Sequence, residues 1–338
     1  MRVFTDIKEI SDFTASRELH LALGSFDGIH LGHQALLGRT LALAREQGGS
    51  PGVLLHDPHP AKIVGDGKDF KTLTSLEEKI RWIRLYGDIN VFVLPFDTDF
   101  ACRGPEEFAV RYLTGLFRVK TAVFGYNYRF GNKKSGDSRV LSKLGGDLGF
   151  ACDVAPRIVD EGGTVSSTSI RRMIENGDIF KAYKSLGHCH VFAGEVVRGN
   201  RIGSGIGFPT ANIRVDEDTV WPAYGVYGGF VMNDNGDVRK SVINIGVRPT
   251  VNNESGVPTF EAHLMEYSGD LYNRELKAIL GSRLRPEERF GSLSELSARI
   301  AGDYKTARAS LDKWEMSLLD KGLTPASLFT CFINDFPL

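Results

Sequence analysis

The segment Gly24-Ser25-Phe26-Asp27-Gly28-Ile29-His30-Leu31-Gly32-His33-Gln34 lies between two apolar runs. The run before it, Leu19–Leu23, is typical of a buried strand, and the leucines after it are spaced as in a helix. The segment is therefore predicted to be a strand-to-helix turn. Glycines let the backbone approach a ligand closely, and a helix start presents unpaired N–H groups and a positive dipole end. These features predict a phosphate-binding site.

Two histidines stand at this helix start. His30 and His33 are three residues apart, so their rings can reach the same side of the helix. Imidazoles beside a phosphate can donate hydrogen bonds to charge that develops on it. The alternative is a pair of loop histidines that only caps the helix. The whole segment resembles the signature of the HxGH nucleotidyltransferases, and its Phe-Asp-Gly-x-His-x-Gly-His-Gln form is similar to that of the FAD synthetase branch.

Length and composition limit the other possibilities. The 338 residues suggest two domains, and the contents of 42% hydrophobic and 25% charged residues are ordinary for a globular protein. A net charge of −1 gives no electrostatic reason to expect nucleic acid or a membrane surface as a partner. The N-terminus lacks the apolar run of a signal peptide, and no apolar segment is long enough to span a bilayer. The four cysteines are Cys102, Cys152, Cys189 and Cys331. They show neither CxxC nor metal-ligand spacing and fit reduced thiols, so we expect a cytoplasmic location.

The first half of the chain alternates short apolar runs with helical patterns, among them a predicted helix near residues 105–116. This order predicts a parallel sheet with helices on both faces, and ligands of such sheets bind at the carboxyl ends of the strands. Three candidate loops follow predicted strands, after Leu23, Leu55 and Phe124. With the resemblance, the fold class is an α/β nucleotidyltransferase of the HxGH type, with a Rossmann-like parallel sheet.

The pattern changes near Leu186-Gly187, where short alternating runs broken by Gly, Pro and Asn begin. These runs predict a small antiparallel barrel or sandwich, closed by a helix from Ser292 towards Leu319. We place the domains at 1–186 and 187–319, followed by a tail at 320–338. The apolar residues of the tail predict that it packs on the protein surface or on a neighbouring subunit, so a homo-oligomer stays possible.

Two further strings resemble the FAD synthetase pattern. Phe124–Gly131 is similar to Gly-x-Asn-Phe-x-Phe-Gly, and Ser166–Arg171 is similar to Ser-Ser-Thr-x-Ile-Arg, the partner motif of HxGH. An Arg in the first turn of a helix suits phosphate, whereas hydroxyls at a helix start are usually N-caps. The resemblance implies catalytic roles for His30, His33 and Arg171. It implies nucleotide contacts for Gly24, Phe26, Asp27, Gly28, Asn127, Ser167 and Thr168.

A Pro-His-Pro loop after the second predicted strand resembles the loop that lies near the flavin in this family. The flavin-binding residues implied there are Pro58, His59 and Pro60. Phe normally stands in the family where this chain has His56.

The second domain opens on a glycine-rich string, Gly199–Asn212, and the chain has no Walker A motif. Glycine N–H groups can wrap phosphates, and Thr210 and Asn212 are hard oxygen donors two residues apart, which suits Mg²⁺. The string Gly-Phe-Pro-Thr-Ala-Asn resembles the riboflavin kinase signature. The resemblance implies nucleotide contacts for Gly203, Gly205 and Gly207, metal ligation by Thr210 and Asn212, Glu261 as the catalytic base, and flavin contacts for Asn244 and Arg285.

Taken together, the motifs predict a bifunctional enzyme of the riboflavin kinase and FMN adenylyltransferase family. Riboflavin and ATP would give FMN in the second domain, and FMN and ATP would give FAD and pyrophosphate in the first. The alternatives are an enzyme that keeps one activity only and a flavin-binding or flavin-sensing protein without turnover. The chain departs from the family pattern at Gly187-His188-Cys189-His190, at Asn273 and in the tail.

Overall fold

A six-stranded sheet lies at the centre of the first of two structural units, Met1–Ser167, in the computed structural model. The structure describes residues 1–64, 67–198, 208–250 and 253–333, with the backbone alone at 68, 248–250 and 253–257. The sheet order is β1-β4-β3-β2-β5-β8, and every pairing is parallel. The strands of this unit are β1 (Val3–Phe4), β2 (Leu19–Leu23), β3 (Ser50–Asp57), β4 (Asn90–Pro95), β5 (Val119–Gly125), β6 (Arg129–Phe130), β7 (Gly136–Asp137), β8 (Ala151–Ala155), β9 (Val159–Asp160) and β10 (Gly163–Thr164).

Helices alternate with these strands, as the sequence predicted. They are α1 (Ile7–Thr14), α2 (Leu31–Gln47), α3 (Pro60–Ile63), α4 (Leu76–Tyr86), α5 (Thr98–Ala101), α6 (Pro105–Phe108) and α7 (Ser138–Leu148), with 3₁₀ turns at Gly67–Asp69 and Asn132–Lys134. The segment expected as a helix over 105–116 starts as α6 and continues as a π-helix, Ala109–Leu116. The parallel α/β class of this unit is confirmed.

Local sequence sets the ends of these helices. Ser75 caps α4 by a reciprocal capping box with Glu78, because each side chain accepts the other residue's backbone N–H. Asp137 caps α7, and Gly149 ends it in the left-handed conformation. The central strands β2 to β5 are mostly buried, and Phe92 on β4 and Phe124 on β5 are among the large fully buried side chains.

The second unit, Thr168–Leu338, is built on a closed antiparallel barrel. The sequence left a barrel and a sandwich open, and the order β11-β12-β15-β14-β13-β16 closes on itself. The strands are β11 (Val191–Val197), β12 (Ala211–Val215), β13 (Gly225–Met232), β14 (Val238–Thr250), β15 (Asn253–Leu264) and β16 (Glu275–Arg285).

Helices precede and follow the barrel. They are α8 (Ser167–Asn176), α9 (Ile179–Leu186) and α10 (Leu293–Leu319), with a 3₁₀ turn at Pro325–Phe329. The unit division falls after Ser167, within α8, so the helices α8 and α9 group with the barrel. The domain boundary at residue 186 stays a prediction for the two catalytic regions.

The C-terminal tail packs within the second unit. Leu328, Phe329 and Ile333 are buried, and the Ile333 N–H donates to the Gly187 carbonyl at 2.7 Å. The ring of Phe332 lies edge-on to His188, with centroids 5.6 Å apart. The tail therefore covers Gly187-His188-Cys189-His190, the segment at which the chain departs from the family pattern.

Candidate active sites

The histidine pair stands at the junction of β2 and α2. His30 is the N-cap residue of α2, and its Nδ1 accepts the backbone N–H of His33 at 3.3 Å. Because Nδ1 is an acceptor, the neutral His30 ring carries its proton on Nε2. Gly32 leaves room for the His30 ring, since a Cβ at that position would lie only 3.0 Å from it.

The two rings are stacked and almost fully buried. Their centroids are 3.7 Å apart with an interplanar angle of 17°, and each residue is 7% exposed. Burial lowers the pKa of His33 well below 6.5, and repulsion between protonated His33 and the cationic forms of His30, Lys79 and His59 lowers it further. His33 is therefore neutral at physiological pH. A neutral imidazole can still donate one hydrogen bond to a phosphate oxygen.

A cavity of about 500 Å³ opens beside this turn. Its walls come from the segments after β2, β3, β4 and β5, which the parallel sheet brings to one edge. The lining residues after β2, β3 and β5 include Gly24, Ser25, His59, Pro60, Tyr128, Arg129, Phe130 and Gly131, and those after β4 include Phe96, Phe100 and Arg103. Asn127, from the loop after β5, is exposed. Aromatic walls and the lysines Lys133 and Lys134 make the cavity suitable for a flat anionic ligand.

The Pro-His-Pro loop holds its histidine in place. The Nδ1 atom of His59 accepts the Ala61 N–H at 3.1 Å, which makes His59 the N-cap residue of α3. The ring also stacks on Phe70, with centroids 4.9 Å apart and planes within 15°. The predicted flavin contact of His59 would therefore be made by a fixed ring.

His56, which stands where family members normally have Phe, is another residue of this cavity. It lines the cavity wall edge-on to two rings, with centroids 5.3 Å from Phe96 and 4.9 Å from Phe100. Burial lowers the pKa of His56 to about 4, and the charges of His59 and Lys79 act in the same direction. The ring is therefore uncharged at neutral pH and behaves as part of an aromatic wall.

Asp27 and Gly28 lie in the turn between β2 and α2 (residues 24–30, the signature turn) and form hydrogen bonds within the protein. Oδ1 of Asp27 accepts hydrogen bonds from Leu73 and Thr74, and the Gly28 N–H donates to the Thr74 hydroxyl at 2.9 Å. The Ser167 hydroxyl donates to the Asp27 carbonyl at 2.8 Å, so the structure brings the start of the second motif onto the first. The nucleotide contacts predicted for Asp27, Gly28 and Ser167 stay predictions.

Two residues of the partner motif fall in the second unit. Thr168 and Arg171 lie in α8, where Thr168 is exposed and Arg171 is half-buried. Their roles at the phosphates stay predictions.

Phe26 is fully buried, and its ring lies 4.9 Å from that of His33.

A row of polar side chains crosses three strands of the barrel. Glu261 on β15 is paired in register with Asn212 on β12 and with Asn244 on β14. Directly opposite residues point to the same face of a sheet. Their neighbours Ala211, Ile245 and Ala262 are buried and fill the barrel, so the row faces outward. The register therefore brings three of the sequence-predicted site residues together.

A cavity of about 280 Å³ lies over this row. Thr210, Asn244, Glu261 and Arg285 all line it, together with residues of α10 that include Asp303. Glu287 also lines this cavity. Burial raises the pKa of Glu287, and repulsion from the Glu261 carboxylate raises it further. The three predicted nucleotide-binding glycines, Gly203, Gly205 and Gly207, lie outside the described residues.

Arg285 forms a buried ion pair with Asp303. Its Nε lies 3.1 and 3.0 Å from the two carboxylate oxygens of Asp303, and its Nη2 lies 2.9 Å from one of them. Both side chains are less than 10% exposed. The pair ties β16 to α10 and fixes the wall of the cavity, while the predicted flavin contact of Arg285 stays a prediction.

Sequence reasoning missed several polar residues that build these sites. Thr74, Lys79 and Asp303 are all buried, at 4, 4 and 6% exposure. Thr74 directly precedes Ser75, the N-cap residue of α4. The capping sequence from Ser75 to Glu78 could have indicated a helix start at this point of the chain. Nothing local marks Lys79 or Asp303, because each lies on a helix with ordinary charge spacing.

An HxGH turn on a parallel sheet and a carboxylate–amide row on a barrel define, as a class, a phosphate-transferring enzyme with two sites. Comparison with known proteins agrees. The family model for FAD synthetase matches residues 12–169, and that for riboflavin kinase matches residues 186–311. The chain is 36% identical to the bifunctional riboflavin kinase/FMN adenylyltransferase of Escherichia coli (strain K12), over 85% of this chain and 91% of that protein.

A second relative of the same name, from Bacillus subtilis (strain 168), is 33% identical over 85% of this chain and 90% of its own length. The chain therefore belongs to the family of bifunctional riboflavin kinase/FMN adenylyltransferases. Its fold is also similar to the crystal structure of a macrolide-efflux protein from Streptococcus pneumoniae, at 28% identity and a TM-score of 0.81, covering 91% of this chain and 99% of that one. Among the described residues, no helix is both long and apolar enough to cross a membrane.

Because the pKa of His56 is lowered in the folded protein, the free energy of unfolding should depend on pH. An unfolded His binds a proton near pH 6.5, whereas folded His56 does so only near pH 4. The unfolded state is thus favoured as the pH falls through this window, by up to about 3 kcal/mol. The substitution His56→Phe removes the contribution of His56 protonation to this pH dependence. The variant should lose less stability than the wild type between pH 7.5 and about pH 4.5 in urea unfolding.

The comparison at pH 7.5 is the control, because both proteins are then uncharged at this position. If the two proteins lose the same stability between these pH values, His56 is not held neutral by burial.

Proposed function

We propose that this chain makes FAD from riboflavin in two ATP-dependent steps, one at the HxGH turn and one on the barrel. The observation that carries the proposal is that a cavity lies beside each proposed set of catalytic groups. The sheet cavity is lined by Gly24 and Ser25, which belong to the turn that leads to the histidine pair, and the barrel cavity is lined by Glu261 and Asn244. Family membership supports both reactions.

In the first unit, a phosphate oxygen of FMN attacks the α-phosphorus of ATP in line. The new P–O bond forms as the bond to pyrophosphate breaks, and no covalent enzyme intermediate is needed. His30 donates from Nε2 and the neutral His33 ring donates one hydrogen bond to the charge that develops. We assign Arg171 to the β- and γ-phosphates because it stands in the first turns of α8.

In the second unit, Glu261 takes the proton of the riboflavin 5′-hydroxyl while the hydroxyl oxygen attacks the γ-phosphorus of ATP. The bond from the γ-phosphorus to ADP breaks, and FMN and ADP leave. Asn212 and Asn244 stand directly opposite Glu261 on the neighbouring strands, so their side chains share one face of the sheet with its carboxylate. This requires Glu261 to be ionised when riboflavin binds.

We further propose that Mg²⁺ serves the kinase step through Thr210 and Asn212. Thr210 is exposed, and Asn212 stands opposite Glu261 on the outer face of the barrel. Their hydroxyl and amide oxygens are hard donors, which fit Mg²⁺ and leave its other positions for phosphate and water. The metal would neutralise phosphate charge and orient the γ-phosphate.

The substrates proposed here are small molecules, and we propose that the enzyme works in the cytoplasm. All four cysteines are free, which is compatible with a reducing compartment. The alternatives, an enzyme with one activity only and a flavin-binding protein without turnover, are separated from this proposal by the product assays described next.

The two sites should fail independently. His33→Ala removes a hydrogen-bond donor, which typically costs about 100-fold or more in rate. This variant should convert riboflavin to FMN and accumulate it. Glu261→Ala removes the general base, typically worth about 100- to 10,000-fold, and should leave riboflavin largely unchanged but still make FAD from FMN. Chromatography of products, with each variant given riboflavin or FMN, measures both effects.

Circular dichroism of both variants is the control for folding. Loss of FMN formation in folded His33→Ala would refute two independent sites. A normal kinase rate in Glu261→Ala would refute the assignment of the base.

Metal dependence gives a separate test. Because Thr210 and Asn212 offer only oxygen ligands, EDTA should stop riboflavin phosphorylation and added Mg²⁺ should restore it. Thr210→Ala should raise the Mg²⁺ concentration needed for half-maximal rate, while His33→Ala should leave it unchanged. Recovery with Zn²⁺ but not Mg²⁺ would contradict the ligand assignment.

A further inference from the structure

The signature turn is conformationally strained. Phe26 and Ile29 have φ values of 49° and 40°, in the left-handed region that residues other than glycine rarely occupy, and Gly28 has a φ of 83°. Both non-glycine residues are fully buried. Such conformations persist only where the surrounding structure holds them. Something must therefore hold this turn in the shape that stacks His30 on His33.

The hydroxyl of Thr74 lies where it can do this. It accepts the Gly28 N–H at 2.9 Å and lies 3.4 Å from Oδ1 of Asp27. The same Oδ1 accepts the backbone N–H groups of Leu73 and Thr74, at 2.9 and 3.1 Å. One threonine thus bonds two successive residues of the turn.

Burial makes these bonds matter. Thr74 is 4% exposed and Asp27 is fully buried, so a lost partner cannot be replaced freely by water. A buried carboxylate also needs donors to offset its desolvation, and the donors at Leu73 and Thr74 supply them. The carboxylate is thereby held among protein donors. The Gly28 N–H is likewise taken by the Thr74 hydroxyl.

Thr74 belongs to the support of the site and not to its surface. It is not among the residues that line the cavity of about 500 Å³. It directly precedes Ser75, the N-cap residue of α4, so its backbone position is fixed by a helix start. The same Asp27–Gly28 peptide group is also held by the Ser167 hydroxyl, which donates to the Asp27 carbonyl.

We infer that Thr74 is a positioning residue for adenylyl transfer, because its hydroxyl holds the Asp27–Gly28 turn and so sets the places of the His30 and His33 rings. The inference rests on the proposed reaction at these histidines. A displacement of about 1 Å at a reacting group can cost about 100-fold in rate. Thr74 therefore acts on turnover through the turn.

The test compares Thr74→Val with Thr74→Ser and Thr14→Val. Valine keeps the shape of threonine but loses the hydroxyl, and serine keeps the hydroxyl. Thr14 is a matched control, since it is 1% exposed and its hydroxyl donates to the Leu116 carbonyl at 2.7 Å, in the same unit. FAD formation from FMN and MgATP is followed with substrate titrations, and riboflavin phosphorylation is followed in parallel.

Thr74→Val should lower kcat for FAD formation by about 10- to 100-fold, with a much smaller change in KM. Thr74→Ser should recover most of the rate, Thr14→Val should keep it, and all three should phosphorylate riboflavin normally. Equal rates in Thr74→Val and Thr14→Val would overturn the inference. A wild-type protein that makes no FAD would instead refute the proposed function.

A second readout does not depend on activity. Nitrogen-15 spectra of the histidine rings in the substrate-free protein should show shifted His30 and His33 signals in Thr74→Val, and unshifted ones in Thr14→Val. Unchanged His30 and His33 signals in Thr74→Val would overturn the inference, whatever the enzyme does.

Discussion

The parallel pairing of β2 with β3 on one side and with β5 on the other is the constraint on which the first site depends. Leu23 at the end of β2 pairs with Leu54 and with Phe124. The carboxyl ends of all three strands therefore lie at the same edge of the sheet, with β3 running three residues further, to Asp57, and the segments that follow them meet over one cavity. The pairing is secured by burial, because every residue of β2 is buried. A strand that is buried on both faces gains from each apolar side chain that leaves water.

The second site depends on register in a different way. Glu261, Asn212 and Asn244 share a face because they are directly opposite one another on antiparallel strands. A slip of one residue would turn Glu261 into the barrel and bring Phe260 or Ala262 to the surface. The apolar alternation that fills the barrel is therefore also what aims the polar row outward. Fold stability and site geometry rest here on the same pattern.

The two sites differ in how their polar groups are supported. The HxGH turn is held by hydrogen bonds from a loop 46 residues away in sequence, through Thr74 and Asp27. The barrel site is held by the backbone ladder itself and by the Arg285–Asp303 pair, which joins β16 to α10. Strained turns need such side-chain support, whereas a ladder positions its residues by pairing alone.

Much of this could be predicted from sequence. Alternating strands and helices gave the parallel sheet, and short alternating runs gave the antiparallel barrel. Glu261 and Asn212 were recognised from strings that resemble known signatures, and the register then placed them together. Closure of the barrel could not be predicted, because it depends on the pairing of β11 with β16, which are far apart in sequence.

The supporting residues were also beyond prediction. A threonine such as Thr74 or an aspartate such as Asp303 has nothing in its own neighbourhood that reveals a partner elsewhere in the chain. The π-helix at Ala109–Leu116 was expected as an ordinary helix, since the apolar spacing of a short segment does not separate the two. Tertiary contacts decide such cases.

The central claim is that one chain carries out two different transfers from ATP, and the fate of the ATP phosphates tests it most directly. The wild-type protein is given riboflavin and MgATP labelled with radioactive phosphorus at either the α- or the γ-position, and the flavins are separated. The account predicts that γ-label enters both FMN and FAD, that α-label enters FAD alone, and that pyrophosphate is released in an amount equal to the FAD formed. Label from the α-position in FMN, FAD without γ-label, or release of pyrophosphate without FAD would contradict it.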